Sequence, residues 1–303
     1  MKFKAIFIIL GLILFLASCQ AKTDKNKSVL SQNESLQINS TDIELFKSLI
    51  QFISDPSFNS LSNGGLIIET GKLFLQTPYV GGTLDNNEIE KIRINLHQLD
   101  CTTYLENVLA LSILSNKASI SIDNFSNQLK YIRYRNGKLN DYTSRLHYFT
   151  DWIFNNEEKG LLLDVTKKIG GQPYDKTINF MSLHTSSYPA LVNDSSLIET
   201  IIQTEKTIND RKHYYIPEDK IQQLENQIED GDLIAITTKI NGLDVSHTGI
   251  AIHLNKRLHL MHASSKAKKV IISDIPLADM ILKNHLQSGI IVARVQLKQQ
   301  ISN

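Results

Sequence analysis

Ser246-His247-Thr248-Gly249-Ile250-Ala251-Ile252-His253-Leu254-Asn255-Lys256-Arg257-Leu258-His259-Leu260-Met261-His262-Ala263 reads as two strands, His247 to Leu254 and Leu258 to Ala263, folded back on each other. Paired residue numbers in an antiparallel hairpin share one sum. A two-residue turn at Asn255-Lys256, or a four-residue loop from Leu254 to Arg257, makes that sum odd and sets His247 and His262 on one face, about 7 Å apart on a diagonal. A three-residue loop from Asn255 to Arg257 would put them on opposite faces. Alternation along the second strand sends His262 with Leu258 and Leu260 toward the core and His259 and Met261 away from it. A histidine on such a face is either a hydrogen-bonded core residue or a working group.

Outward from the hairpin, Asp232 to Thr238, Val270 to Ser273 and Gly289 to Val295 extend the strand pattern into a meander over 231–297. Residues 41–115 are mainly helical, with a loop through Thr77-Pro78-Tyr79-Val80-Gly81-Gly82-Thr83. Residues 116–230 mix helices and loops, including a helix from Ser196 to His213 and another begun by Pro217 and ended before Gly231. Helices feeding an antiparallel meander make an α+β protein, with 41–297 as one domain, 116–230 as a helical insertion in it and 298–303 as a tail. The sequence shows no internal repeat.

Leu105, Val108, Leu109 and Ile113 form the apolar stripe of a core helix, broken only at Ser112. Thr103 to Glu106 fits a capping box, with Asp100 as the alternative N-cap. Cys101 therefore stands at a helix N-terminus, where free amides and the positive end of the dipole favour a thiolate.

The chain has two cysteines. Lys2 and Lys4 precede the apolar run Ala5 to Leu16, too short for a comfortable span, and Leu16-Ala17-Ser18-Cys19 resembles a bacterial lipobox. That implies a signal over 1–18 cut before an acylated Cys19, a polar tether over 19–40, and export with a lipid anchor in the inner or outer membrane. An exported Cys101 without a disulfide partner is then either buried and inert or reactive. With 32 basic and 31 acidic residues and 7% aromatics, the chain lacks the basic stripe of a nucleic-acid binder. Gly81-Gly82 is not followed by the Lys-Ser/Thr of a phosphate loop, and neither His-Glu-x-x-His nor Cys-x-x-Cys occurs, so neither a metal nor another cofactor is expected.

The Tyr79 loop, Asp100-Cys101-Thr102-Thr103, Gly231-Asp232-Leu233, Ser246-His247-Thr248-Gly249-Ile250 and His262-Ala263-Ser264-Ser265 follow the order found in NlpC-type, papain-like cell-wall cysteine peptidases. From about residue 65 to 296 the chain most resembles their N-acetylmuramoyl-L-alanine amidase-like branch. The insertion 84–99, Asp-Cys-Thr-Thr in place of the endopeptidases' Asp-Cys-Ser-Gly, Arg145 to Trp152 and Tyr214 to Pro217 carry that resemblance. It implies a papain-like core, a monomer acting on peptidoglycan-derived muropeptides, Cys101 as nucleophile, His247 as its base and His262 as the group orienting His247. Tyr79 would help bind the oxyanion, while Asp100, Asp244 and Ser246 stand where they can touch substrate, with capping or turn roles as the alternatives for the two aspartates. His147, His184 and His213 read most simply as surface or packing residues, with substrate contact by one of them as the alternative. Rival functions are a cut between D-glutamate and a diamino acid, a non-catalytic cell-wall-binding lipoprotein, and acyl transfer on the same scaffold.

Overall fold

The computed structural model describes residues 36–297 apart from 86–88, 116 and 118–119; the signal run, Cys19 and the tail 298–303 lie outside the described residues. Order begins within the stretch expected as tether, because β1 (Leu36–Gln37) pairs in parallel with β2 (Ile92–Arg93). Helices α1 (Ser40–Ile53), α2 (Asn63–Lys72) and α3 (Cys101–Leu114) make up most of the front part. The middle holds α4 (Ile122–Arg133), α5 (Phe149–Glu158), α6 (Phe180–Leu183), α7 (Pro189–Asn193), α8 (Ser196–Asn209) and α9 (Ile221–Leu224), with β3 (Leu162–Asp164), β4 (Gln172–Pro173) and β5 (Tyr214–Pro217) among them. Then come β6 (Leu233–Thr238), β7 (Val245–Leu254), β8 (Arg257–Ser264), β9 (Lys269–Ile272), α10 (Leu277–Leu282) and β10 (Gln287–Val295).

Asn255 and Lys256 both take positive φ, 51° and 67°. That is the backbone of a two-residue turn whose twist matches the strands. Pairing accordingly runs from Leu254↔Arg257 to Ile250↔Met261, always to an odd sum. The meander holds through β6, β7, β8 and β9, but β10 crosses back to lie on the other side of β6, giving the order β4-β5-β10-β6-β7-β8-β9, with β3 also on β10. Residues 116–230 are thus not purely helical, since three of their segments extend the sheet. Pro217 closes β5 instead of opening a helix, and α9 starts at Ile221. A proline suits a short sheet segment as well as a first helical turn, because both tolerate a missing N–H.

The expectation that Met261 and His259 turn away from the core fails, since both are buried. Helices cover both faces of this part of the sheet. Ile250, Ile252, Met261 and Ala263 join the core built on α3, whereas Leu258 and Leu260 join a second core under Leu277, Ala278 and Ile281 of α10. Helix α3 is buried on nearly every side, which is why its stripe was only part of the story: Ser112 and Glu106 are as enclosed as Leu105. Glu106 faces the equally buried Arg133 at 2.7 Å. Gly231 takes φ 87°, and a Cβ there would lie 2.4 Å from the Gly64 Cα, so only glycine lets α2 approach the entry to β6.

Candidate active site

The nucleophile candidate is the first residue of α3. The cap is Asp100, whose carboxylate accepts from the Thr103 N–H at 2.8 Å, while the Asp100 N–H donates to the Thr103 hydroxyl at 2.9 Å. The Thr103 to Glu106 box does not form, because Asp100 is the cap and Thr103 is already the third helical residue. Cys101 is free and half-buried.

Pairing of β7 with β8 stops at Ile250↔Met261, and β7 carries a bulge against β6 at Ser246. In the unpaired end lie His247, Thr248 and His262. The Thr248 hydroxyl donates to the Cys101 carbonyl at 2.9 Å, tying the strand to the helix start. The two imidazoles share a face: His247 Nε2 and His262 Nδ1 are 2.5 Å apart, with the rings at 82°. His247 Nδ1 makes no hydrogen bond among the described residues. Tyr79 hangs on the same corner, its N–H donating to the Lys268 carbonyl and its main chain bridging to Leu99. Gly81 lies beside its ring, with the Tyr79 hydroxyl 3.5 Å from where a Cβ would stand.

Burial pushes the Cys101 thiol up, the Asp100 charge adds to this, and the Thr248 N–H with the Thr248 and Thr102 hydroxyls pull only partly the other way. Burial thus opposes the thiolate that the helix end favours. Burial also holds His247 down to about 3 and His262 to about 4, so thiol and imidazole both rest neutral. The Tyr79 hydroxyl is pushed up by burial and then by Cys101 and Asp100, which keeps it a proton donor.

Two of the other candidates separate. Ser246 is exposed and lines a groove of about 720 Å³ together with His247 and His262. Asp244 instead turns inward, 1% exposed, and accepts from the Thr150 N–H and hydroxyl, both at 2.8 Å. It anchors the start of β7 to α5 and does not contact the groove. A second cleft, of about 210 Å³, opens beside Asp100 and Thr102 and is walled by Tyr142, Arg145, His147 and Tyr188. His147 packs on the Tyr142 ring, 4.3 Å between centroids, and so lines this cleft. Only the Arg145 to Trp152 block, already notable in the sequence, pointed to it. The His184 and His213 rings each bond a nearby carbonyl, of Phe180 and Ile208.

The family described as AmiA-like, N-acetylmuramoyl-L-alanine amidase-like, matches residues 69–290. Among solved structures, an N-acetylmuramoyl-L-alanine amidase from Bacteroides uniformis is 39% identical at a TM-score of 0.74, over 77% of this chain and 99% of its own. A Bacteroides fragilis protein described provisionally as a xylanase is 38% identical at 0.72, over 75% and 100%. A Legionella pneumophila protein is 25% identical at 0.64, over 85% and 97%. No curated protein matches.

Proposed function

Because the chain belongs to the AmiA-like, N-acetylmuramoyl-L-alanine amidase-like family, we propose that it is a cysteine hydrolase cleaving the amide between the lactyl group of N-acetylmuramic acid and L-alanine in peptidoglycan fragments. The observation that carries the chemistry is the parted end of β7 and β8, where Thr248 ties the Cys101 helix start to the strand bearing His247, itself bonded to His262. The core would be of the papain-like NlpC type, a cysteine-bearing helix on an antiparallel sheet with paired histidines, and 41–297 would work as one catalytic domain.

In this mechanism the Cys101 thiol gives its proton to His247 Nδ1 as sulfur attacks the lactyl carbonyl. His247 Nε2–H donates to His262 Nδ1, which holds the ring and stabilises the imidazolium. The oxyanion takes the Cys101 N–H at the helix start and the Tyr79 hydroxyl. When the C–N bond breaks, His247 returns the proton to the alanine nitrogen. Water, deprotonated by His247, then attacks the thioester and releases the muramoyl acid and free thiol.

We place the protein, on its sequence, outside the cytoplasm on a lipid at Cys19; labelled fatty acid that no longer enters the Cys19→Ser chain would bear this out. For the reaction, mass spectrometry of products from a defined disaccharide-tripeptide decides. Free tripeptide should appear, and Cys101→Ala should lower its release by about 10⁴-fold or more. Cleavage within the free tripeptide would favour the endopeptidase instead, and equal turnover by Cys101→Ala would remove the cysteine mechanism.

A further inference from the structure

Asp42 lies in the first turn of α1, before the residues 69–290 that the family matches, and is 1% exposed. Its own N–H is taken by the Asn39 cap at 2.9 Å. Its Oδ1 accepts the main-chain N–H of Leu96 at 2.8 Å and of His97 at 3.2 Å, and bonds His97 Nδ1 at 2.7 Å. Its Oδ2 is buried with no hydrogen-bond partner among the described residues. An enclosed carboxylate oxygen left bare is costly, so the worth of this side chain lies in what Oδ1 holds.

What it holds is the bend that leads to the nucleophile. The Gln98 N–H donates to the Asn95 side chain at 3.0 Å, and the Asn95 carbonyl accepts from the Asn107 amide of α3 at 3.1 Å. The Leu99 N–H donates to the Pro78 carbonyl and the Leu99 carbonyl accepts the Val80 N–H, both at 3.0 Å. Leu99 therefore grips the chain on either side of Tyr79, and Cys101 follows two residues later. With the Asp100 N–H on the Thr103 hydroxyl, every main-chain N–H from 96 to 100 has a fixed acceptor. The start of α3 is set separately, by its own cap and by Thr248. The strut over 96–99 fixes a different quantity, the offset of the Tyr79 loop from that start. Between two groups that must meet one developing charge, an error of about 1 Å can cost about 10²-fold in rate.

Resting on the amidase reading and its oxyanion donors, we propose that Asp42 is a positioning residue. Acting through the strut, it sets the Tyr79 hydroxyl against the Cys101 N–H, and so makes α1 part of what keeps the site in order.

The test is a double-mutant cycle on the disaccharide-tripeptide, with kcat and KM measured separately and the fold of each variant checked by near-ultraviolet circular dichroism. Asp42→Ser, too short to reach Leu96, should lower kcat by at least about tenfold with KM held within about twofold. Asp42→Asn keeps an acceptor oxygen and should stay within about threefold of wild type in kcat. In a Tyr79→Phe background Asp42→Ser should cost less than about threefold, because the donor that it misplaces is already gone. Asn95→Ala, which frees the Gln98 N–H of the same bend and leaves α1 intact, should follow the same pattern and takes the place of Asp42→Ser if that chain does not fold. The assignment is overturned if the two losses multiply in full, if Asp42→Asn is as damaged as Asp42→Ser, or if Tyr79→Phe is as active as wild type. A wild type that cleaves nothing brings down the amidase reading and this one with it, whereas an active wild type with multiplying losses defeats only the role of Asp42.

Discussion

Cys101 is where sequence logic and burial disagree most usefully. A helix start argues for a thiolate, but a thiol enclosed beside Asp100 pays for desolvation before any dipole helps. With His247 held to about 3, the resting pair is neutral and the proton moves during attack. Alkylation by iodoacetamide should therefore keep accelerating as pH rises past 9, the ordinary thiol value being 9.0 and this one raised. A plateau already reached near pH 6 would mean a preformed ion pair. The cysteine and both histidines could be singled out by residue type and local position, whereas Tyr79 was singled out by resemblance. The inward turn of Asp244 was not, since its partner Thr150 is 94 positions away.

Helix α3 shows how an element can be recognised and still be misjudged. Its stripe predicted one buried face, whereas the sheet and neighbouring helices enclose nearly all of it. The consequence is the Glu106–Arg133 pair, with both side chains 2% exposed. Removing one partner strands a buried charge, so Glu106→Leu should cost about 3–5 kcal/mol in chemical denaturation. Glu106→Leu with Arg133→Met should recover most of this. If the double variant is no more stable than the single one, the pair is not coupled as the geometry implies. Both strands of the β7–β8 hairpin were readable because alternation is local, while the loop stayed open until Asn255 and Lys256 were seen at positive φ. The return of β10 to β6 was not, because nothing in a strand's own pattern names its neighbour.

For the molecule as a whole, three histidines that burial holds neutral should weaken the fold in acid. His147, His247 and His262 are held at about 3, 3 and 4 against 6.5 when free. The unfolded chain then binds more protons between those values, so their contribution is complete above pH 6.5 and is lost as pH falls toward 4. Replacing His147 with Gln should make the fall in Tm from pH 6.5 to 4 shallower by a few degrees; an unchanged slope would mean that His147 is protonated in the folded state. The sequence alone determined the α+β class, the two strands of the hairpin, the helix that starts at Cys101 and the kinship those residues carry, since periodicity and caps act over a few residues. Tertiary structure alone decided that both faces of the sheet are covered, that residues 162–217 supply strands to it, that Asp244 is an anchor, and that Arg145 and His147 build a cleft beside Cys101. Those outcomes depend on which distant surfaces exclude water together, and no short stretch of chain records that.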